Sequence, residues 1–341
     1  MNPALHASLM QSAQSGNVNE LRQLMASSQF RSVFPTFLKE SSVRDILLEA
    51  AAYNQVPIVD YCLTELHAPY LADHVDEAVV AAARNGHTEL VRHLIDTYKA
   101  TNLDLALDVA TGNGREGVVQ LLMETYGCGR SLETIRRIHL IAARYGQMAM
   151  TRALSEILIS RLSATASSSS HQSNETIITP HQVIRDAMIA AAKGGQYLIV
   201  DWCYQECVNH DMNPPVEDAI VAAARHGHAA VVRLCREKYS AINDALLTAF
   251  VAAACRGHTN VVRLCFEFLN TRIFDEVVVC AFVGAASNGQ TEMVRMFLTE
   301  WYSPAIAEAR KQATHQAIFE NHMDTAYVCE NTASPTMMTL S

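Results

Sequence analysis

Residues 81–94 read Ala-Ala-Ala-Arg-Asn-Gly-His-Thr-Glu-Leu-Val-Arg-His-Leu, and the phrase returns twice almost unchanged. From Ala222 it is Ala-Ala-Ala-Arg-His-Gly-His-Ala-Ala-Val-Val-Arg-Leu-Cys, and from Ala252 it is Ala-Ala-Ala-Cys-Arg-Gly-His-Thr-Asn-Val-Val-Arg-Leu-Cys. Weaker copies turn on Gly16, Gly114, Gly146, Gly195 and Gly289. Two more lack the glycine, one at Asn54-Gln55 with a turn one residue shorter, the other at Asn321-His322. Successive turns stand roughly 28 to 32 residues apart, with longer intervals after Gly16 and after Gly146. A period held over about ten copies makes the chain a repeat protein.

Each copy reads as two helices. The first ends on paired alanines, small enough to let a neighbouring helix come close. It often opens on an acid or Asn, as at Asp76, Asp218, Asn243 and Asp275, which suits an N-cap and the helix dipole. Glycine then supplies the positive φ that stops the helix. Apolar residues follow four, five, seven, eight and nine places later, as in Leu90, Val91, Leu94 and Ile95 or in Val118, Val119, Leu121, Leu122 and Met123. So wide an apolar face cannot be covered by one helix pair, but stacked neighbours cover it. The expected fold is an all-α solenoid of about ten stacked helix–turn–helix repeats.

The phrases at 82–91 and 223–232 resemble ankyrin repeats, and the likeness runs through nearly the whole chain. The family's Thr-Pro-Leu-His opening is replaced by Glu77-Ala78-Val79-Val80, Asp218-Ala219-Ile220-Val221 and Thr248-Ala249-Phe250-Val251. Its Gly-Ala-Asp hairpin between units is missing, and between Tyr239 and Asn243 there is room for little more than a tight connection. The resemblance implies a protein-binding scaffold whose concave groove is lined by the end of each first helix and its turn. Degenerate arrays of this kind resemble those of secreted effectors of intracellular bacteria and those of protist or viral proteins; the first of these resemblances implies a host-directed effector acting in the host cytosol.

Two segments interrupt the period. Residues 163–180 open on Ser-Ala-Thr-Ala-Ser-Ser-Ser-Ser, a low-complexity tract expected to form a disordered loop. It separates an N-terminal array, 1–162, from a C-terminal one, 181–332, each of about five units; whether it is a loop in one stack or a hinge is open. An insertion near 28–45 carries Phe30, Phe34 and Phe37, either packing over the first repeat or serving as a docking patch. Residues 333–341 are expected to be a flexible tail.

The chain is half hydrophobic and 18% charged, with a formal charge of −9 and a pI of 5.8. Such a balance disfavours broad affinity for nucleic acid. No stretch of about 18 uncharged apolar residues appears, so no membrane insertion is expected. The start, Met-Asn-Pro-Ala-Leu-His, lacks the cationic and apolar regions of a secretory signal, and nine cysteines without short paired spacings suit a reducing compartment. A cytoplasmic location follows.

Five cysteines, Cys62, Cys203, Cys235, Cys265 and Cys329, share one repeat position with Leu94, Leu122, Leu154 and Phe297, which marks a core slot. Cys255, beside His258, lacks a third residue to orient a nucleophilic pair. His87, His228 and His258 alternate with Gln147, Gln196 and Gln290 after the turn, which favours hydrogen bonding over metal ligation or proton transfer. No catalytic residue, cofactor or metal is predicted. An enzyme with an unrecognised site in the groove or in the 28–45 insertion is the alternative.

Two basic rows remain. Arg22, Arg92, Arg152, Arg233, Arg263 and Arg295 lie six after the turn residue, on the polar face of the second helix. Arg84, Arg144, Lys193, Arg225 and, one place later, Arg256 lie just before it, accompanied by Tyr53, Asn85, Tyr145 and His226. If the curvature follows the family, the second row faces the groove and suits another protein's acidic or phosphorylated segment; the alternative is that arginine there only caps and solubilises.

Overall fold

The computed structural model describes residues 3–27, 30, 36–66, 71–128, 131–168, 179–239, 243–269, 275–301 and 303–332. Among these residues there are twenty α-helices and no strand. They form ten hairpins. The first five are α1 (Pro3–Ser15) with α2 (Val18–Ala26), α3 (Thr36–Ala52) with α4 (Val56–Asp60), α5 (Leu71–Asn85) with α6 (Thr88–Tyr98), α7 (Leu103–Gly112) with α8 (Glu116–Gln120), and α9 (Leu132–Arg144) with α10 (Met148–Ser168). The others are α11 (Pro180–Lys193) with α12 (Tyr197–Asn209), α13 (Val216–Arg225) with α14 (Ala229–Tyr239), α15 (Asn243–Ala254) with α16 (Thr259–Leu269), α17 (Asp275–Ser287) with α18 (Thr291–Thr299), and α19 (Pro304–Phe319) with α20 (Met323–Asn331).

The turn residue predicted for each hairpin adopts the left-handed conformation. Gly16, Gly86, Gly114, Gly146, Gly195, Gly227, Gly257 and Gly289 have φ between 67° and 86°, while Asn54 and Asn321 have φ of 60° and 63°. Asn is the residue that best replaces glycine there, because its short polar side chain tolerates the left-handed region. The turn at Asn54 is therefore not shortened. Gln55 N donates to the Ala50 carbonyl just as His87 N donates to the Ala82 carbonyl, each five residues back.

The chain divides into two compact units, Met1–Ala142 with Ala149–Arg161, and Ala143–Met148 with Leu162–Ser341. In the first unit α1, α3, α5 and α7 pack in succession; in the second α11, α13, α15, α17 and α19 do the same. Alanines make this possible. The third residue before the turn is Ala13, Ala51, Ala83, Thr111, Ala143, Ala192, Ala224, Ala254 and Ala286 in the first nine hairpins, and each is fully buried. The cysteine slot is core as predicted: Cys62, Cys203, Cys235, Cys265 and Cys329 are fully buried, as are Leu94, Leu122 and Phe297 at the same position.

Three expectations are corrected. Residues 36–45 lie inside α3, since nothing from Thr36 to Ala52 is a proline or glycine, and Phe30 is buried. Residues 28–29 and 31–35 lie outside the described residues, so the docking patch drawn there has no structural account. The first six residues of the serine-rich tract, 163–168, prolong α10, where leucine and alanines continue the helix; 169–178 lie outside the described residues, as does 333–341. Asp76 is not the start of its helix, which opens at Leu71. Its carboxylate instead accepts the backbone N–H of Thr101 (2.6 Å) and the Thr101 hydroxyl (2.8 Å), just ahead of α7. Partial burial raises its pKa, but these donors outweigh it and hold Asp76 below the ordinary carboxylate value.

Candidate functional site

In five hairpins the residue after the left-handed turn residue bonds a carbonyl of the preceding repeat, whereas Gln196 and Gln290 bond the carbonyls of Gly194 and Asn288 in their own turns. His87 Nε2 lies 2.8 Å from the carbonyl of Ala52, His228 Nε2 3.0 Å from that of Lys193, and His258 Nε2 3.1 Å from that of Arg225. A carbonyl only accepts, so Nε2 carries the proton in each ring. Gln55 Nε2 bonds the Gln14 carbonyl (2.7 Å) and Arg115 Nε the Arg84 carbonyl (2.9 Å) in the same way. Histidine, glutamine and arginine interchange because each offers an N–H at similar reach. The accepting carbonyls belong to the position that carries Arg84, Lys193 and Arg225, so the bond that ties one turn to the next also fixes the backbone of the basic row.

The two basic rows differ in how their charge is used. In the row six after the turn, five arginines are ion-paired: Arg22 with Glu65 (2.7 Å), Arg92 with Glu89 (3.5 Å), Arg233 with Glu237 (3.3 Å), Arg263 with Glu300 (2.6 Å) and Arg295 with Glu292 (3.6 Å). In the row before the turn, Arg84, Arg144, Lys193, Arg225 and Arg256 are all exposed, and among the described residues none of them forms an ion pair. The first row is neutralised on its own surface. The second presents net positive charge.

Arg84 and Asn85 stand in the first unit together with Tyr53, which is half exposed. Asn85 bonds the Ala81 carbonyl at the end of α5. The remaining predicted residues, Arg144, Tyr145, Lys193, Arg225, His226 and Arg256, fall in the second unit and form a contiguous line of turns. A Cβ built at Gly194 would stand 1.7 Å from the Arg144 carbonyl, so only glycine lets these two turns touch. The next contacts are the His228–Lys193 and His258–Arg225 bonds. The rings of His226 and His228 stack with centroids 6.4 Å apart, and His226 Nδ1 bonds the Ala222 carbonyl. Burial holds His228 below the ordinary histidine value, and the charges of His226, His258 and Arg144 push in the same direction.

Sequence reasoning omitted several members. His228, His258 and Gln55 were read as turn residues rather than as ties between repeats, and Arg115 was not singled out; their signal was the repeat distance to a carbonyl, which only the stacking reveals. Tyr197 and Leu198, two and three residues after Gly195, are both more than half exposed.

Burial pushes the thiols of Cys62, Cys235 and Cys265 up to about 12, and raises that of Cys255 as well. Thiols so shifted are poor nucleophiles at neutral pH. Among the described residues no group of three or more His, Cys, Asp or Glu is arranged to hold a metal ion, and no helix is long and apolar enough to cross a membrane.

The family model for ankyrin repeats matches residues 47–131, in three copies. No curated protein matches the sequence. The matched segment covers the hairpins from the end of α3 to α8 and includes the turns at Asn54, Gly86 and Gly114. Outside it the left-handed turn recurs at Gly16, Gly146, Gly195, Gly227, Gly257, Gly289 and Asn321, so the hairpin of the matched ankyrin repeats at 47–131 is repeated along the described residues.

Proposed function

We propose that the protein binds a partner protein through the unpaired basic row of its second unit, and that the bound segment is acidic or phosphorylated. Ankyrin repeats are in general protein–protein interaction modules and typically non-catalytic, so binding is the activity to test first. The observation that carries the finer reading is the contrast between the two rows. Arginines six after the turn are spent on neighbouring carboxylates, whereas Arg144, Lys193, Arg225 and Arg256 are exposed and unpaired among the described residues. Cations held one per repeat on backbones tied by hydrogen bonds lose little entropy on meeting an anion.

Spacing refines the partner. Stacked helices lie about 10 Å apart and an extended chain rises about 3.3 Å per residue, so an extended segment would match successive repeats with an acid at about every third position. His226 and Tyr145 add a ring face and hydrogen-bonding groups beside the charges. The host-directed effector role rests on the sequence resemblance, and a partner from a eukaryotic cell is its corollary.

The test is fluorescence anisotropy of a labelled peptide with aspartate or phosphoserine at every third residue, against wild type and Arg144→Glu/Lys193→Glu/Arg225→Glu. Each exposed charge pair is worth up to about 1 kcal/mol, and reversal replaces attraction by repulsion, so affinity should fall at least about tenfold. Added salt should weaken the wild-type complex and hardly affect the variant. Equal affinity for both proteins, with the variant folded, overturns the basic-row reading.

A further inference from the structure

The last hairpin of this chain breaks the pattern of every earlier one. Three residues before the turn, nine successive hairpins carry a fully buried Ala or Thr; the tenth carries Ile318, which is 47% exposed. In the second unit each first helix that carries this buried slot has the first helix of the next repeat packed on it, α13 on α11, α15 on α13, α17 on α15 and α19 on α17. Ile318 thus lies on a stacking face with no repeat laid over it among the described residues.

The surface around it has changed in the same sense. Two residues before the turn, where Arg144, Lys193 and Arg225 stand, is Phe319, 81% exposed. Six after the turn, where Arg233, Arg263 and Arg295 stand, is Tyr327, 67% exposed. Two after the turn is Met323, 62% exposed, one helical turn before Tyr327 and on the same face of α20. Both cationic rows become aromatic at the hairpin whose outer face would be expected to be polar.

We infer that this face is a self-association surface, on which a second copy of the chain docks across a two-fold axis. Three arguments favour that occupant. With about 200 Å² for a full large side chain, the exposed parts of the four residues amount to roughly 500 Å², at the upper end of the patches that monomers display. Two such faces together would bury about 1,000 Å² from these side chains alone, the lower bound for a specific interface. An isologous pairing sets apolar surface on apolar surface. The first hairpin offers no matching patch, because none of the large apolar side chains described in α1 and α2 is exposed, so a heterologous contact with it would bury the face against polar groups. A further repeat in the usual register is also disfavoured: Ile318 fills the space that alanine or threonine leaves for the next helix at every inner position.

So small an interface makes a weak dimer. Sedimentation velocity of the full chain, from about 5 to about 500 µM, should show a monomer–dimer equilibrium with half-association in the upper part of that range. Phe319→Glu and Tyr327→Glu, at exposed positions that leave the helices intact by circular dichroism, should each remain monomeric throughout. The variant Arg144→Glu/Lys193→Glu/Arg225→Glu should dimerise like wild type, which separates this surface from the peptide-binding row. A wild type monomeric at the highest concentration overturns the inference, as does dimerisation undiminished in Phe319→Glu. A monomeric wild type that dimerises once residues 333–341 are removed overturns it too, and assigns the face to the tail.

Discussion

At Gly227 two demands fall on one residue. Its φ is 83°, and a Cβ there would meet His258 Nδ1 at 2.8 Å, against the ring that ties the next repeat to the Arg225 carbonyl. Alanine would have to bear the left-handed backbone and push aside a side chain already engaged in a hydrogen bond. Gly227→Ala should lower the free energy of unfolding by about 1–3 kcal/mol, read from the urea midpoint. Combining it with His258→Ala should recover the steric part and leave the backbone part, so the two changes will be less than additive. Additive losses would show that the ring is not what confines the turn. Asn54 illustrates the complementary case, where φ is 60° and a side chain is present, because Asn is one of the few residues that tolerate this region. Histidine after the turn also explains itself at this scale: a ring N–H that must reach a carbonyl one repeat away can be exchanged for glutamine or arginine, but not for a residue without a donor.

At the scale of the helix pair, the slot eight after the turn shows why sequence alone carried so far. Cysteine, leucine and phenylalanine alternate there because the slot requires only an apolar group, and from the second hairpin onward every copy is buried. Burial raises the thiols of Cys62, Cys203, Cys235, Cys265 and Cys329, the last to about 11. A neutral-pH pulse of iodoacetamide on the native protein should therefore label the exposed Cys280 and spare these five. Rapid labelling of Cys235 would contradict the core assignment. Turn positions, helix pairing and this slot were legible because they recur with the repeat period. Helix starts were not: Asp76 looks like an N-cap, yet Leu71 to Val75 extend the helix ahead of it, and its carboxylate serves a backbone 25 residues on. The basic row was legible as a pattern. Its lack of counter-ions was not, since whether an arginine is neutralised depends on carboxylates brought in by other hairpins, as Glu300 is to Arg263. Ile318 was legible in principle, as the one large residue in a column of alanines.

For the molecule as a whole, stability should be graded along each unit rather than uniform. A repeat array is held by contacts between neighbours, so an inner hairpin is secured on two faces and a terminal one on a single face. In the second unit α13, α15 and α17 each have a first helix packed on either side, whereas α19 has one. In the first unit α1 likewise has a neighbour on one side, α3. Arg310 partly compensates at the end of the chain, its guanidinium donating to the carbonyls of Cys329 (2.6 Å) and Thr332 (2.8 Å) where α20 closes. Amide hydrogen exchange followed by mass spectrometry should rank protection accordingly, with α1–α2 and α19–α20 exchanging first and α13 to α17 last. If the apolar face of α19–α20 pairs with a second copy, protection of these two helices alone should rise with protein concentration, while that of α1–α2 stays constant. Equal protection from α11 to α20 would mean that the unit opens as one cooperative block, in which case neighbour contacts do not set the order of unfolding and the exposed face at Ile318 carries no local instability.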